Sequence, residues 1–285
     1  MPLTTIGILT KPQFPEIKPI LQKLVTWLRG RQKDVILGPS TATLIGESIT
    51  HQDEHLASQS ELILVLGGDG TMLRAARLVE ERSVPILGVN MGGLGFLTET
   101  TVENLYESLE KVFEQNYYLD NRLRLQARIC RQDGQVIQVT ALNDAVVSKG
   151  TLGRMIKIHI QVDKKFLTNL RGDGVIFATP TGSTAYSLST GGPILDPSLE
   201  SLMVTPINPH TLTHRPLLVP SHVCLEAKLT SPEGAVATLD GEVGIDMNWG
   251  DTIVVTASNH RTSLIRFPDR TYFDVLRTKL KWGDG

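Results

Sequence analysis

The stretch that most constrains this chain is a short apolar run that ends in a turn of three glycines and one carboxylate. The run Leu62–Leu66 is continuously aliphatic, which is typical of a buried strand. The segment Thr71–Glu81 has apolar residues at helical spacing, and threonine is a common helix cap, so we predict a helix capped by Thr71. Between the two lies Gly67-Gly68-Asp69-Gly70, where the glycines let a ligand approach the backbone closely. The sequence therefore predicts a ligand-binding turn between a strand and a helix.

The single acid in this turn indicates what the ligand could be. A helix N-terminus favours an anion such as phosphate, whereas a carboxylate repels one. Asp69 is explained beside a phosphate if it accepts a proton from an attacking hydroxyl, or if it holds a metal ion that neutralises the phosphates. The alternative is an ordinary strand-to-helix turn with an exposed aspartate. The chain has no G-x-x-x-x-G-K-[ST] sequence, and the turn lacks G-x-G-x-x-G spacing, so it is neither a Walker loop nor a dinucleotide fingerprint.

Composition excludes several classes of protein. The formal net charge of −2 gives no basic footprint for nucleic acid, and no apolar run reaches the ~18 residues of a membrane span. The N-terminus has no basic region before an apolar core, and Cys130 and Cys224 form no metal-type cluster, so we expect a reduced, cytoplasmic setting, with one disulfide between the two cysteines as the alternative. The histidines include no HExxH pair. We therefore expect a substrate-bound Mg²⁺ and assign no protein side chain as a metal ligand.

Strands and helices are predicted to alternate up to about Asn116, which is typical of parallel βαβ units. In such sheets, ligands bind outside the carboxyl ends of the strands. The glycine turn follows one strand and the turn Asn90–Gly95 follows the next, so we expect both turns to line one crevice. The predicted elements are strands at Thr5–Leu9, Val35–Leu37, Leu62–Leu66 and Val84–Val89, helices at Glu16–Arg31, Thr71–Glu81 and Val102–Gln115, and a loop with at most one helix at Ser40–Ser60.

After Asn116 the pattern changes to short strands with one wet face, as in Ile156–Val162, where apolar and polar residues alternate. Many short strands separated by turns indicate a sandwich-like domain. Further strands are predicted at Gln135–Val139, Val223–Leu229, Thr252–Thr256 and Leu264–Phe267. The last segment, Thr271–Trp282, is helical in pattern, and its apolar stripe requires a partner. We infer that it packs back on the first domain.

The predicted fold class is therefore an N-terminal Rossmann-like α/β domain with a C-terminal β-rich, sandwich-like domain and a terminal helix that returns to the first domain. The α/β domain is predicted to span residues 1–118 and 268–285, and the β-rich domain residues 119–267.

Two stretches of the β-rich half carry further polar groups. Asn143-Asp144 interrupts an apolar strand, and adjacent strand residues face opposite ways, so both fit one site only at a strand end or bulge. A turn bonded by its own Asx side chains is an equal alternative. In Asp173–Pro193 a strand runs into a Pro-Thr-Gly turn rich in hydroxyls, with one aromatic residue, which suits a planar base with polar edges. No His/Asp arrangement makes Ser183 or Ser187 a nucleophile, so a hydrolase is disfavoured.

Together these motifs resemble those of the NAD kinases, the family that phosphorylates NAD to NADP. The first motif is shared with diacylglycerol-type lipid kinases and, more distantly, phosphofructokinases, whereas the run Thr179–Tyr186 is highly specific. The resemblance covers nearly the whole chain and rests on Gly67–Thr71, Asn90–Glu99, Asn143-Asp144, Asp173-Gly174, Thr179–Ser189 and Gly191-Gly192-Pro193.

The resemblance implies NAD bound between the two domains, with ATP or polyphosphate as donor, a divalent cation, and a homodimer or homotetramer whose neighbouring subunit completes the site. It implies that Asp69 is the base for the ribose 2′-hydroxyl in the adenosine half of NAD. It places Asp69, Gly70, Arg74, Asn143, Asp144, Arg154, Arg171, Asp173, Thr184, Ala185, Tyr186, Ser187 and Ser189 at NAD, and Gly67, Gly68, Gly70 and Thr71 at the donor phosphates.

Two positions depart from the family pattern. Asp144 stands where many members carry Glu, and a shorter side chain still serves a ribose. Glu242, in Asp240-Gly241-Glu242, adds negative charge where we expect Gln or similar, which disfavours a phosphate contact. The rival functions are a lipid kinase, which should show a different second glycine loop and a membrane-facing patch, and a non-catalytic NAD(P) sensor, which need not retain Asp69.

Overall fold

The computed structural model describes residues 3–11, 15–49, 52–79, 82–93, 95–150 and 154–282. The chain forms two compact units, Met1–Asn121 with Thr262–Gly285, and Arg122–Arg261. The second boundary falls before the strand Thr262–Arg266, which the sequence pattern assigns to the β-rich half but which pairs within the sheet of the first unit.

The first unit is built from a mostly parallel sheet with helices in its connections. Its first strands are β1 (Thr5–Thr10), β2 (Asp34–Leu37), β3 (Leu62–Leu66), β4 (Ile86–Asn90), β5 (Thr100–Thr101) and β6 (Tyr118–Arg122), and its first helices are α1 (Lys18–Gly30, preceded by a 3₁₀ turn at Pro15–Ile17), α2 (Pro39–Ile45), α3 (Asp53–Gln59), α4 (Asp69–Leu78) and α5 (Leu105–Phe113). Strand β3 is buried along its whole length, as its aliphatic sequence predicts.

Two predictions for this unit are wrong in detail. Helix α4 begins at Asp69, and its N-cap is Gly68, which makes no side-chain cap hydrogen bond, so Thr71 lies inside the helix and does not cap it. The Thr71 hydroxyl instead packs against Gly67. A Cβ added to Gly67 would lie 2.4 Å from Thr71 Oγ1. The helix ends at Leu78, and the predicted end, Glu80 and Glu81, lies outside the described residues. The predicted loop after Ser40 contains two short helices, α2 and α3.

The second unit is a sandwich of two six-stranded antiparallel sheets. Its elements are β7 (Leu125–Cys130), β8 (Val136–Ala141), β9 (Asp144–Lys149), β10 (Ile156–Val162), β11 (Lys165–Gly172), β12 (Gly174–Ala178), α6 (Tyr186–Ser189, after a 3₁₀ turn at Thr181–Thr184), β13 (Ser201–Ile207), β14 (Leu217–Pro220), β15 (Leu225–Leu229), β16 (Ala235–Leu239), β17 (Val243–Met247) and β18 (Thr252–Ala257). The strand orders are β11-β10-β15-β18-β7-β8 and β14-β13-β12-β9-β16-β17. One apolar core, which includes Ile158 and Phe177, joins the facing sides of both sheets.

The chain then returns to the first unit with β19 (Thr262–Arg266) and α7 (Tyr272–Leu280). Strand β19 pairs in parallel with β4, which gives the order β2-β1-β3-β4-β19-β6, with β5 also on β4. A capping box between Thr271 and Asp274 starts α7, and Val275 and Leu276 are buried. The predicted fold class, including the returning helix, is confirmed. No helix in the described part of the chain is long and apolar enough to cross a membrane.

Candidate active site

Asp69 is held at the first turn of α4 by the loop that follows β4. Its Oδ2 accepts a hydrogen bond of 3.0 Å from the Phe96 amide, and its Oδ1 accepts one of 2.9 Å from the Leu97 amide. A Cβ on Gly95 would lie 2.2 Å from Asp69 Oδ1, so only glycine fits beside the carboxylate. The glycine turn and the turn after β4 are thus in direct contact, as their places at the ends of adjacent strands predict.

The loop after β4 is stabilised by hydrogen bonds of its own. The buried Asn90 amide group donates to Thr98 Oγ1 at 3.2 Å, and Asn90 Oδ1 accepts from the Gly92 amide at 2.8 Å. Thr98 Oγ1 also accepts from the Gly95 amide at 2.9 Å. These bonds support the segment that holds Asp69; its Leu94 lies outside the described residues.

A buried ion pair lies behind the same loop. Arg266, from β19, and Glu99 are each 7% exposed, and Arg266 Nη1 lies 2.8 Å from Glu99 Oε2. The guanidinium also donates to the carbonyl oxygens of Phe96 and Thr98, each at 3.4 Å. Glu99 Oε1 accepts from the Phe267 amide at 2.8 Å. The last strand of the chain is therefore bonded to the loop that holds Asp69.

The space in front of the glycine turn is open. Among the residues that the structure describes, and leaving aside chain neighbours and the helix's own backbone, a Cβ built on Gly68 or Gly70 would meet no atom within 4 Å. Gly70 is exposed, and Gly68 has extended backbone with φ −106°. Arg74 lies further along α4 and is partly exposed. A ligand can therefore reach the first amides of α4, where an anion is favoured.

In the second unit, Asn143 and Asp144 lie at the corner where β8 ends and β9 begins. The Asp240 carboxylate accepts hydrogen bonds from the amides of Leu142 at 2.9 Å, Asn143 at 2.7 Å and Asp144 at 3.3 Å. Asp240 and Gly241 form the tip of the β16–β17 hairpin, both with positive φ, as Asp-Gly turns favour. The two polar residues thus lie at strand ends, and a distant carboxylate rather than an Asx turn fixes the corner.

Asp144 is only 4% exposed, and burial, together with the nearby charge of Asp240, raises its pKa to about 7. It faces a cavity of about 330 Å³. The cavity is lined by Asn143, Asp144, Val146, Ser148, Ala185, Tyr186, Thr238, Asp240 and Gly241. Tyr186 is 45% exposed, and an exposed aromatic ring beside buried polar groups suits a planar ligand with hydroxyls.

The Thr179–Ser189 segment is built against the Asn143 corner. The Thr179 hydroxyl donates to the Leu142 carbonyl at 2.6 Å, and the Thr179 amide donates to the Asn143 carbonyl at 2.9 Å. A Cβ on Gly182 would lie 2.1 Å from the Asn143 carbonyl oxygen, so this contact requires glycine. The loop chemistry therefore brings Ala185 and Tyr186 to the cavity that Asn143 lines.

The structure does not bring every predicted residue to this cavity. Ser187 is fully buried and its hydroxyl is 3.0 Å from Thr205 Oγ1, which argues against a ligand contact, because a short helix turns this side chain inward. The remaining predicted residues, Thr184, Ser189, Arg154, Arg171 and Asp173, belong to the second unit and are not among the residues that line this cavity. Arg154, Arg171 and Ser189 are exposed.

Asp173 has partners within the chain. Its carboxylate lies 2.8 Å from Lys149 Nζ and accepts a hydrogen bond of 3.0 Å from Asn208 Nδ2. The bonds from Lys149 and Asn208 lower the pKa of Asp173.

Sequence reasoning assigned no supporting contact to three residues that position the candidate site, namely Asp240, Glu99 and Arg266. The Asp240-Gly241 pair is a hairpin signal in the sequence, but no strand is predicted directly after it and its contact with Asn143 left no sequence signal. Among the residues that the structure describes, no three His, Cys, Asp or Glu side chains are grouped as ligands for a metal ion.

Comparison with known proteins yields one family. Residues 6–117 match the family model of the ATP-NAD kinase N-terminal domain, and residues 142–267 match that of the C-terminal domain. An NAD kinase of Syntrophotalea carbinolica is 45% identical over 282 residues, which cover 98% of this chain and 99% of that protein. An NAD kinase of Trichlorobacter lovleyi is 41% identical over 281 residues, with the same coverage.

Two solved structures share the fold. Yeast NADH kinase complexed with NADH gives a TM-score of 0.92 at 25% identity and covers 100% of this chain and 89% of that chain. An NAD kinase from Archaeoglobus fulgidus in complex with ATP gives a TM-score of 0.79 at 26% identity and covers 98% of this chain and 99% of that chain.

Proposed function

Because the chain belongs to the NAD kinase family and is an NAD kinase, we propose that it transfers the γ-phosphoryl group of ATP to the 2′-hydroxyl of the adenosine ribose of NAD, with Asp69 as the general base. The observation that carries this proposal is the setting of Asp69. Two backbone amides orient its carboxylate beside an open glycine turn, and none of the ion pairs between described residues involves it.

The chemistry requires a base because a ribose hydroxyl is a poor nucleophile until its proton is removed. General-base assistance of this kind typically contributes ~10²–10⁴-fold to the rate. Phosphoryl transfer otherwise depends on positioning and on charge neutralisation, since little covalent chemistry is required of the protein. The open amides at the start of α4, with Gly68 and Gly70, are the groups we propose for the donor phosphates.

The acceptor side of the proposal uses the cavity in the second unit. Ribose hydroxyls donate hydrogen bonds to acceptors such as carboxylate and amide oxygens. Asp144 offers a carboxylate and Asn143 an amide oxygen at this cavity. Tyr186 and Ala185 provide the flat, partly apolar wall that a purine requires. We therefore place the adenosine half of NAD here.

The divalent cation is proposed to arrive with the donor as its magnesium complex. The described residues offer no group of acidic, histidine or cysteine side chains suited to a resident metal, so no step is assigned to a protein-held ion. ATP is the proposed donor because a relative of the same fold was solved with ATP. A homo-oligomer with a shared site remains our expectation for the assembly.

The test of the base is Asp69→Asn, which retains the size of the side chain and removes its ability to accept a proton. The variant should fold, bind NAD within about threefold of wild type, and lose NADP formation by ~10²-fold or more, as followed by an NADP-specific coupled assay. Ser183→Ala, which removes a buried loop hydroxyl that donates to the Pro180 carbonyl, is the control for loop stability. Turnover of Asp69→Asn within a few-fold of wild type would refute the assignment.

A further inference from the structure

The peptide segment 96–98 forms hydrogen bonds on two sides. On one side its amides bond Asp69, through Phe96 N and Leu97 N. On the other side its carbonyl oxygens face the guanidinium of Arg266, which also pairs with Glu99. The position of the Asp69 carboxylate therefore depends on where Arg266 holds this segment.

Glu99 and Arg266 are themselves held firmly. Arg266 Nε lies 3.3 Å from Asp120 Oδ2, the Phe267 amide binds Glu99 Oε1, and Arg270 Nη1 donates to the Glu99 carbonyl at 3.0 Å. Both members of the pair are nearly buried, so neither presents a surface to a substrate. A buried ion pair is also a poor source of stability, because apolar residues of similar volume often replace such pairs without loss. Its presence behind the Asp69 loop calls for another role.

We propose that the Glu99–Arg266 pair is a positioning device for Asp69, through which the strand β19 sets the geometry of the general base. This inference rests on the proposed function of Asp69. Reacting groups must be held near their productive geometry, and a misplacement of about 1 Å can cost ~10²-fold in rate. Loosening the 96–98 segment should therefore reduce turnover while leaving substrate affinity almost unchanged.

The experiment compares Arg266→Met, Arg266→Lys and the double variant Glu99→Met/Arg266→Met with Arg131→Met. Arg131 forms a matched ion pair with buried Asp251, also at 2.8 Å, in the second unit. The double variant removes both charges together, so it remains testable if a single variant leaves an unpaired charge and fails to fold. Steady-state kinetics give kcat and the KM values for NAD and ATP.

We expect kcat to fall about 10- to 100-fold in Arg266→Met and in the double variant, with both KM values within about threefold of wild type. Arg266→Lys retains the charge but lacks the planar fork, so its kcat should lie between those of wild type and Arg266→Met. Arg131→Met should retain kcat within about threefold. Hydrogen exchange should be faster at the Phe96 and Leu97 amides in the Arg266 variants, whereas Arg131→Met should leave it unchanged.

The Asp69→Asn background separates this proposal from the one it rests on. If Asp69→Asn alone retains turnover, the base assignment fails, whatever Arg266 does. If Asp69→Asn is inactive but the folded double variant retains wild-type kcat, the positioning role fails. It also fails if Arg266→Met reduces the residual turnover of Asp69→Asn as strongly as it reduces that of wild type, because a positioning residue has little effect once its base is gone.

Discussion

Asp144→Asn should stabilise the protein at neutral and alkaline pH, because the wild-type side chain is a carboxyl that burial and the charge of Asp240 make costly to ionise. Its pKa rises from 3.8 to about 7 on folding, so between these values the native state binds more protons than the unfolded chain. Stability must then fall as pH rises through this window. A shift of about three units, at about 1.36 kcal/mol each, gives an upper bound of about 4 kcal/mol.

The assay is urea unfolding of wild type and Asp144→Asn between pH 4 and pH 8.5. The unfolding free energies of the two proteins should be nearly equal near pH 4. The advantage of the variant should grow up to about pH 7, and above that pH the difference in unfolding free energy should stay constant. NAD affinity gives a second readout. Ionised Asp144 accepts from ribose hydroxyls better than its neutral form, so wild-type affinity should rise with pH across this range while that of the variant stays flat.

Asp251→Asn is a control in the same unit, because the pKa of Asp251 is shifted in the opposite direction from that of Asp144. Burial opposes its charge, but hydrogen bonds from the Asn248 amide and Arg131 outweigh burial and lower the pKa of Asp251. Ionised Asp251 therefore stabilises the native state above pH 3.8, and this stabilisation is lost as pH falls. Asp251→Asn should be less stable than wild type at pH 7, and the difference in unfolding free energy should shrink in acid. If the stability difference for Asp144→Asn does not change between pH 4 and pH 8, Asp144 is not a costly buried carboxyl and the reasoning fails.

Two glycine substitutions test the site from opposite directions. In Gly70→Ala the added methyl meets no atom of the described residues beyond its own helix, so the unfolding free energy should be unchanged or higher by up to about 1 kcal/mol. The KM for ATP should nevertheless rise at least tenfold, because the methyl occupies the proposed phosphate path. Gly30→Ala, which likewise adds no contact with the described residues, is the control, and an unchanged KM for ATP in Gly70→Ala would contradict this path. In Gly95→Ala the methyl would lie 2.2 Å from Asp69 Oδ1, so kcat should fall ~10²-fold with NAD still bound, and a wild-type kcat would show that the carboxylate position is not critical.

The sequence predicted those parts of the fold that depend on local pattern. Strand Leu62–Leu66 and strand Ile156–Val162 were predicted to the residue, because a continuous aliphatic run and a strict alternation are strong signals. The helices α2 and α3 were not separated, since Ser40–Ser60 is polar and each helix is only seven residues long. The Thr71 cap was wrong because glycine at Gly68 can start a helix without a side-chain bond.

The support of the site could not be predicted, because it depends on contacts between residues far apart in the chain. Asp240 binds amides 96 to 98 residues before it, and Arg266 pairs with a residue 167 positions away. Neither contact leaves a periodic trace in the sequence. Motif spacing locates the candidate site residues such as Asp69, whereas the residues that hold them become visible only when the topology is known.

The place of β19 between β4 and β6 has a consequence for biosynthesis. A ribosome releases Arg122–Arg261, a complete sandwich with its own core, before it releases Thr262–Arg266. The strand pairings that complete the sheet around Asp69 can therefore form only after the whole of the second unit has been synthesised. Nascent chains stalled before residue 262 would carry every glycine of the glycine turn and still lack the strand that secures the loop against it.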